Sequence, residues 1–173
     1  ISVPTAGAGI FSNSRKSLDE LKNGDKVAIP NDSSNLARAL GILARENLIT
    51  LKSGIDDTKA TENDIASNPE KLKFETLDAA QISRNLDSVA IGVIPGNYAY
   101  AANLDFGDAL ALETLAEEYK NVIAVKSDDK ESQLGKDLKA AVESKEFYDA
   151  ITKDGSKFKD FQKPEWWIEE YGK

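Results

Sequence analysis

The stretch Ile29-Pro30-Asn31-Asp32-Ser33-Ser34-Asn35-Leu36-Ala37-Arg38-Ala39-Leu40 carries a strand into a polar loop and the loop into a helix. Val27, Ala28 and Ile29 read as a short buried strand. Pro30 stops it, because proline has no N–H to give to a ladder. Asn31, Asp32, Ser33, Ser34 and Asn35 all favour turns or helix N-caps. Leu36, Ala39, Leu40 and Leu43 recur at helical spacing, which predicts a helix from about residue 35 to residue 46. Arg38 then falls in its first turn, where a cation opposes the helix dipole. The positions three and four residues on are Gly41 and Ile42, so no acid there can pair with it. Helix N–H groups beside a guanidinium suit an anion, and a carboxylate matches the arginine fork. Solvation of Arg38, or a pair with Asp32, accounts for the same residues.

The pattern repeats outward from this stretch. Val89 to Ile94 is a nearly continuous apolar strand, as in the middle of a parallel sheet, and Pro95-Gly96 breaks it. Lys73 to Leu77 alternates like a half-buried strand, and Asp78 caps the helix after it. Leu48 to Lys52 and Val122 to Val125 also read as strands. Ser17-Leu18-Asp19-Glu20 has the form of a capping box, and Thr61-Glu62-Asn63-Asp64 resembles one that opens a short helix. Helices are expected over 98–103, 132–143 and 145–151. Ile1 to Ser12 reads as an extended strand or a crossover. Strands alternate with helices throughout, so the fold class is α/β.

Composition narrows the chemistry. The 173 residues suit one domain or two small lobes. A net charge of −8 without a basic stripe argues against a nucleic-acid partner or adhesion to anionic lipid. Cys and His are absent, which removes thiol nucleophiles, His-based triads and most zinc or haem ligation. No apolar run approaches the roughly 20 residues that span a bilayer. The chain begins with Ile and contains no Met, so it reads as a processed product or a fragment.

Other clusters read as structure. Gly7-Ala8-Gly9 lacks the full dinucleotide pattern. Asp56-Asp57, Glu117-Glu118 and Asp128-Asp129 lie in polar stretches and read as solvated surface. The Asp128–Glu131 run lacks calcium-loop glycine and spacing. Trp166-Trp167 and Tyr171 read as a tail packed on the body, with a partner patch as the alternative. Asn97 follows a strand and a Pro-Gly break, the place where open α/β sheets bind ligands. It also fits the cap of the following helix.

Several segments together carry a resemblance. They are Lys16–Leu21, Val27–Asp32 with Asn35 and Arg38-Ala39-Leu40, Leu72-Lys73-Phe74 with Asp78-Ala79-Ala80-Gln81, Ile94–Ala99 and Tyr119–Val125. In this order the chain resembles the methionine-binding lipoproteins of bacterial ABC importers, the NlpA/MetQ family. Ser33-Ser34 stands where Pro-Thr is usual, and Pro95 where Asn is common. The ending Phe161–Trp167 differs from the family's.

The resemblance implies a periplasmic-binding-protein-like fold of type II, with two lobes built on parallel or mixed sheets. Residues 1–12 would be the first crossover and 13–95 a complete α/β lobe. Residues 96–173 would hold the second crossover, near Gly96-Asn97, and the C-terminal part of the other lobe, whose N-terminal part is missing. The implied function is the substrate-binding component of an ABC amino-acid importer. It would bind methionine between the lobes and would not be an enzyme. Asn97 falls on the family's ligand asparagine. With Arg38, Asn35 and Asn31 it makes the expected ligand set, without metal or cofactor. The partners would be methionine and the ABC permease/ATPase complex, at the cell surface or in the periplasm, with the parent held to the membrane by a lipid anchor. The alternatives are a truncated receptor that keeps only an interaction surface, or a binder of another amino acid or short peptide.

Overall fold

The apolar run ending at Ile94 forms a strand, Ile91–Ile94, with all four residues buried. It is the sixth of seven strands in a computed structural model that describes residues 1–172, the side chain of Glu118 excepted. The others are β1 (Gly9–Phe11), β2 (Lys26–Pro30), β3 (Thr50–Leu51), β4 (Ile65–Ser67), β5 (Lys73–Leu77) and β7 (Ala111–Leu112) around this β6. Five of them form one sheet in the order β5-β2-β6-β1-β7. β2 is parallel to β5 and β6, and β1 is antiparallel to β6 and β7. β6 is therefore central, as its apolar run suggests, but the sheet is mixed rather than parallel throughout, because β1 enters antiparallel beside it.

Helices cover both faces. α1 (Ser33–Arg45) buries Ala37, Leu40 and Leu43 in one cluster with Val27, Ile29, Ile91 and Val93. α2 (Ala79–Ile82) and the 3₁₀ turn after it place Ile82 and Leu86 against the other face. A Cβ on Gly92 would come within 2.8 Å of Ile82 and 2.9 Å of Leu86, so glycine lets this layer close on the sheet. The alternation of Val27 and Ile29 with Ala28, and of Ile91 and Val93 with Gly92, follows from the two-residue period of a strand.

Packing divides the chain into two units, residues 8–113 and residues 1–7 with 114 onward. The boundary thus falls after Glu113, whereas the sequence reading placed the second crossover at Gly96-Asn97. The reason lies in the residues between. α3 (Gly96–Ala101) continues directly from β6, and β7 returns to pair with β1 in the same sheet.

In the second unit Val3 N–H donates to Asn121 O at 2.8 Å, and Thr5 and Gln162 exchange backbone bonds at 3.0 and 2.9 Å. The strand expected over 122–125 reduces to one bridge, Ser2 with Val122. A strand needs a ladder, and Val122 is 62% exposed. α4 (Gln133–Val142) and α5 (Lys145–Thr152) appear where predicted, each capped by a serine. α6 (Glu165–Tyr171) buries Trp167, which stacks on Tyr148 at 5.3 Å between ring centres. The tail is therefore packed, as its aromatic residues suggested.

The reading also needs smaller corrections. Thr61 and Asp64 do form the reciprocal capping pair, but it closes a single 3₁₀ turn, and the chain then pairs with β3 as β4. Ser17 caps only a 3₁₀ turn, and Glu20 reaches Lys16 N–H rather than its own cap.

Candidate functional site

Three parallel strands end at one edge of the sheet of residues 8–113. β2 delivers Asn31, β6 delivers Pro95 and α3, and β5 delivers Asp78. Through the antiparallel β1, the end of β7 reaches the same edge, since Gly9 lies opposite both Ile94 and Leu112. Ligands in open α/β sheets bind outside the carboxyl ends of strands. All four sequence-derived candidates, Asn31, Asn35, Arg38 and Asn97, follow β2 or β6 at this edge.

Helix α1 begins earlier than its apolar spacing suggests. Asp32 is the N-cap, and its side chain accepts from Asn35 N–H at 3.0 Å. An aspartate that satisfies an orphan N–H outcompetes a later start. Arg38 therefore sits in the second turn, where the dipole acts more weakly than in the first. It is half-buried and ion-paired. Its Nε donates to Glu113 Oε1 at 3.0 Å, and its Nη2 donates to Glu113 Oε2. Its Nη1 meets Asn35 Oδ1 at 3.4 Å. The acid that local spacing did not supply comes from 75 positions along the chain. Pairing with Asp32 is indirect: Asn35 Nδ2 donates to both Asp32 oxygens at 3.1 Å.

Glu113 is 7% exposed and is held twice more by Ala8. Its backbone N–H donates to Ala8 O at 2.8 Å, and its Oε2 accepts from Ala8 N–H at 2.9 Å. A side-chain oxygen thus stands where an antiparallel ladder would offer a carbonyl. The guanidinium is bound along its Nε/Nη2 side, and its Nη1 faces Asn35.

The structure joins Arg38 and Asn35 directly. Asn31 and Asn97 are exposed, Asn31 on the turn after β2 and Asn97 at the start of α3 after the neighbouring β6. Asn31 N–H donates to Leu77 O at 2.8 Å, which ties the loop to β5. Asn97 is the second residue of α3, and Pro95 is the N-cap, so Asn97 does not cap that helix. Glu113 is the partner of Arg38 that sequence reasoning missed. It follows the short run Leu110-Ala111-Leu112, and no helical or local spacing links it to Arg38.

Elsewhere, among the described residues, no group of three or more acidic residues has the geometry to hold a metal ion. The Asp128–Glu131 run begins in a 3₁₀ turn, Ser127–Asp129, and is largely exposed. Among the described residues no helix is long and apolar enough to cross a membrane. The unit of residues 1–7 and 114 onward has a cavity of about 560 Å³, lined by apolar residues such as Ile123, Leu138 and Trp166 together with charged lysines 130, 136 and 139 and glutamates 131 and 143. In the same unit Glu117 accepts from Lys120 Nζ at 2.8 Å and from Ser2 Oγ at 2.8 Å. The Lys120 bond, with help from Ser2 and Glu165 N–H, outweighs partial burial and holds the Glu117 carboxyl below its usual range.

Comparison with known proteins places this chain among relatives. The profile of the NlpA lipoproteins matches residues 1–166. The D-methionine-binding lipoprotein MetQ of Salmonella typhi is 38% identical over 153 residues, which are 87% of this chain and 55% of that protein. A nutrient binding protein from Burkholderia cenocepacia, solved bound to methionine, superposes with a TM-score of 0.79 at 44% identity, over 90% of this chain and 66% of that one. A periplasmic substrate-binding protein of an ABC transporter from Coxiella burnetii gives a TM-score of 0.77 at 42% identity, over 88% and 64%. The chain spans about half the length of the curated relatives it matches.

Proposed function

This chain belongs to the NlpA lipoprotein family, and on that premise we propose that it is part of the substrate-binding component of an ABC importer that takes methionine. The observation that carries the reading is the set of polar groups at one sheet edge. A guanidinium already oriented by a carboxylate stands there with Asn35, beside the exposed amides of Asn31 and Asn97. Arginine recognises a carboxylate through paired N–H groups. Asparagine offers both donors and acceptors, which suits the two charged ends of an amino acid. The relatives named for methionine support this ligand over other amino acids. The permease and ATPase of the importer would be its partners. The parent would be lipid-anchored at the cell surface or in the periplasm. No catalytic step is assigned to it.

The lobe boundaries of the proposal follow the packing, with crossings after residues 7 and 113. Thermal shift against an amino-acid panel tests the ligand. A specific ligand raises stability by RT ln(1 + [L]/Kd), so methionine at a hundredfold excess over Kd should add about 2.7 kcal/mol. The expected result is a shift with methionine and none with glutamate or lysine. A flat response across the panel favours a second reading, an interaction protein without ligand. That reading draws on the cavity around Ile123 and Trp166.

A further inference from the structure

We infer that Glu113 is the positioning residue of the site: it fixes the Arg38 guanidinium by its Nε/Nη2 side and thereby presents Nη1 to the carboxylate of the ligand. The inference rests on the reading of Arg38 as the group that binds a carboxylate. A buried ion pair is poor evidence for a stabilising role, because desolvation offsets most of the attraction and apolar pairs of similar volume often do as well. Two leucines would join α1 to the end of β7 at less desolvation cost. An ion pair supplies something they cannot, a guanidinium with one allowed orientation. Glu113 is built for that task. Ala8 N–H holds Oε2 at 2.9 Å, and Glu113 N–H holds the backbone to Ala8 O at 2.8 Å. The carboxylate is thus anchored to the sheet independently of Arg38. It is also buried, so it cannot be exchanged for water without loss. Arginine has five N–H donors in a planar fork. Glu113 engages Nε and Nη2, and the contact of Nη1 with Asn35 Oδ1 at 3.4 Å is long for a hydrogen bond. A ligand carboxylate can replace that weak contact without displacing Glu113.

Calorimetric titration of the full chain with L- and D-methionine and with methioninamide, which lacks the carboxylate, tests the inference. Glu113→Gln keeps the size of the side chain and an oxygen for Ala8 N–H. It is expected to weaken methionine binding roughly tenfold, the low end of what an outer-shell orienting partner contributes at other sites. Methioninamide binding should be unchanged, because positioning acts only on the group that grips the carboxylate. In an Arg38→Ala background, Glu113→Gln should have no further effect. Equal losses for both ligands would show a structural role and overturn the inference. Unchanged or tightened methionine binding would also overturn it, the latter by showing Glu113 to be a competitor for the fork. If Arg38→Ala itself leaves methionine binding intact, or the wild-type chain binds none, the underlying reading fails and takes the inference with it.

Discussion

The two units of this chain solve the same problem with different means. Residues 8–113 bury a five-stranded sheet between helices, and every residue of β6 is inside. Residues 1–7 with 114 onward rely on an aromatic cluster around Trp167 and on single bridges, and they leave Val122, Leu134 and Ile168 at least half exposed. Both units contain strand-like sequence. Val89–Ile94 became a central strand because β1 and β2 flank it, whereas Val122–Val125 found one bridge. The difference teaches that apolar β-branched sequence is permission to form a strand, and a neighbouring backbone is the requirement.

The largest test of that contrast is Val93→Asp. Val93 is buried between β1 and β2 and the α1 layer, so an unpaired carboxylate there should cost about 4 kcal/mol or more. Loss of cooperative unfolding by circular dichroism is the expected outcome. Near-normal melting would put Val93 outside a core. Trp167→Ala should cost about 3 kcal/mol, because it empties a site 1% exposed and bordered by Phe147, Tyr148 and Tyr171. Both tryptophans lie in this unit, so urea unfolding followed by tryptophan emission reads it selectively.

Binding effects come next. Arg38→Lys should weaken methionine binding by about 2 kcal/mol, since an ammonium cannot engage Glu113 and a ligand carboxylate through paired donors. Isothermal titration checks it, and an unchanged Kd removes Arg38 from the site. Asn97→Ala should cost about 1 kcal/mol of affinity with folding intact, because the residue is exposed and polar. A melting temperature lowered with affinity retained would assign Asn97 to structure instead.

The smallest effect is a pH dependence confined to the aromatic unit. The folded-state pKa of Glu117 lies below the ordinary 4.5, so its contribution is complete above that pH and is lost as pH falls through the folded value. Melting curves of wild type and Glu117→Gln should therefore differ at neutral pH and converge in acid. Curves that stay parallel into acid would show that the Lys120 and Ser2 contacts do not stabilise the fold.

Much of this was legible in the chain because the signals are local. The strand read at Lys73–Leu77 has the same bounds as β5, and the helices expected over 132–143 and 145–151 fall on α4 and α5. Side-chain period and capping act over a few residues, so periodicity reads them without a fold. Arg38 also stood out locally, by lacking an acid one turn away. The onset of α1 was misjudged because apolar spacing begins at Leu36, whereas Asp32 caps the helix before any apolar residue.

Long-range placement followed other rules. The antiparallel insertion of β1 between β6 and β7, the boundary after Glu113 and the single bridge at Val122 depend on which segments become neighbours. The identity of Arg38's partner belongs with them. Residue types marked Arg38 as a cation without an acid one turn away, in a helix that follows a strand. Strand order decided that Glu113 would meet it, because β7 ends beside Ala8 at that edge, and no pattern within a helix turn or a strand repeat spans such a separation.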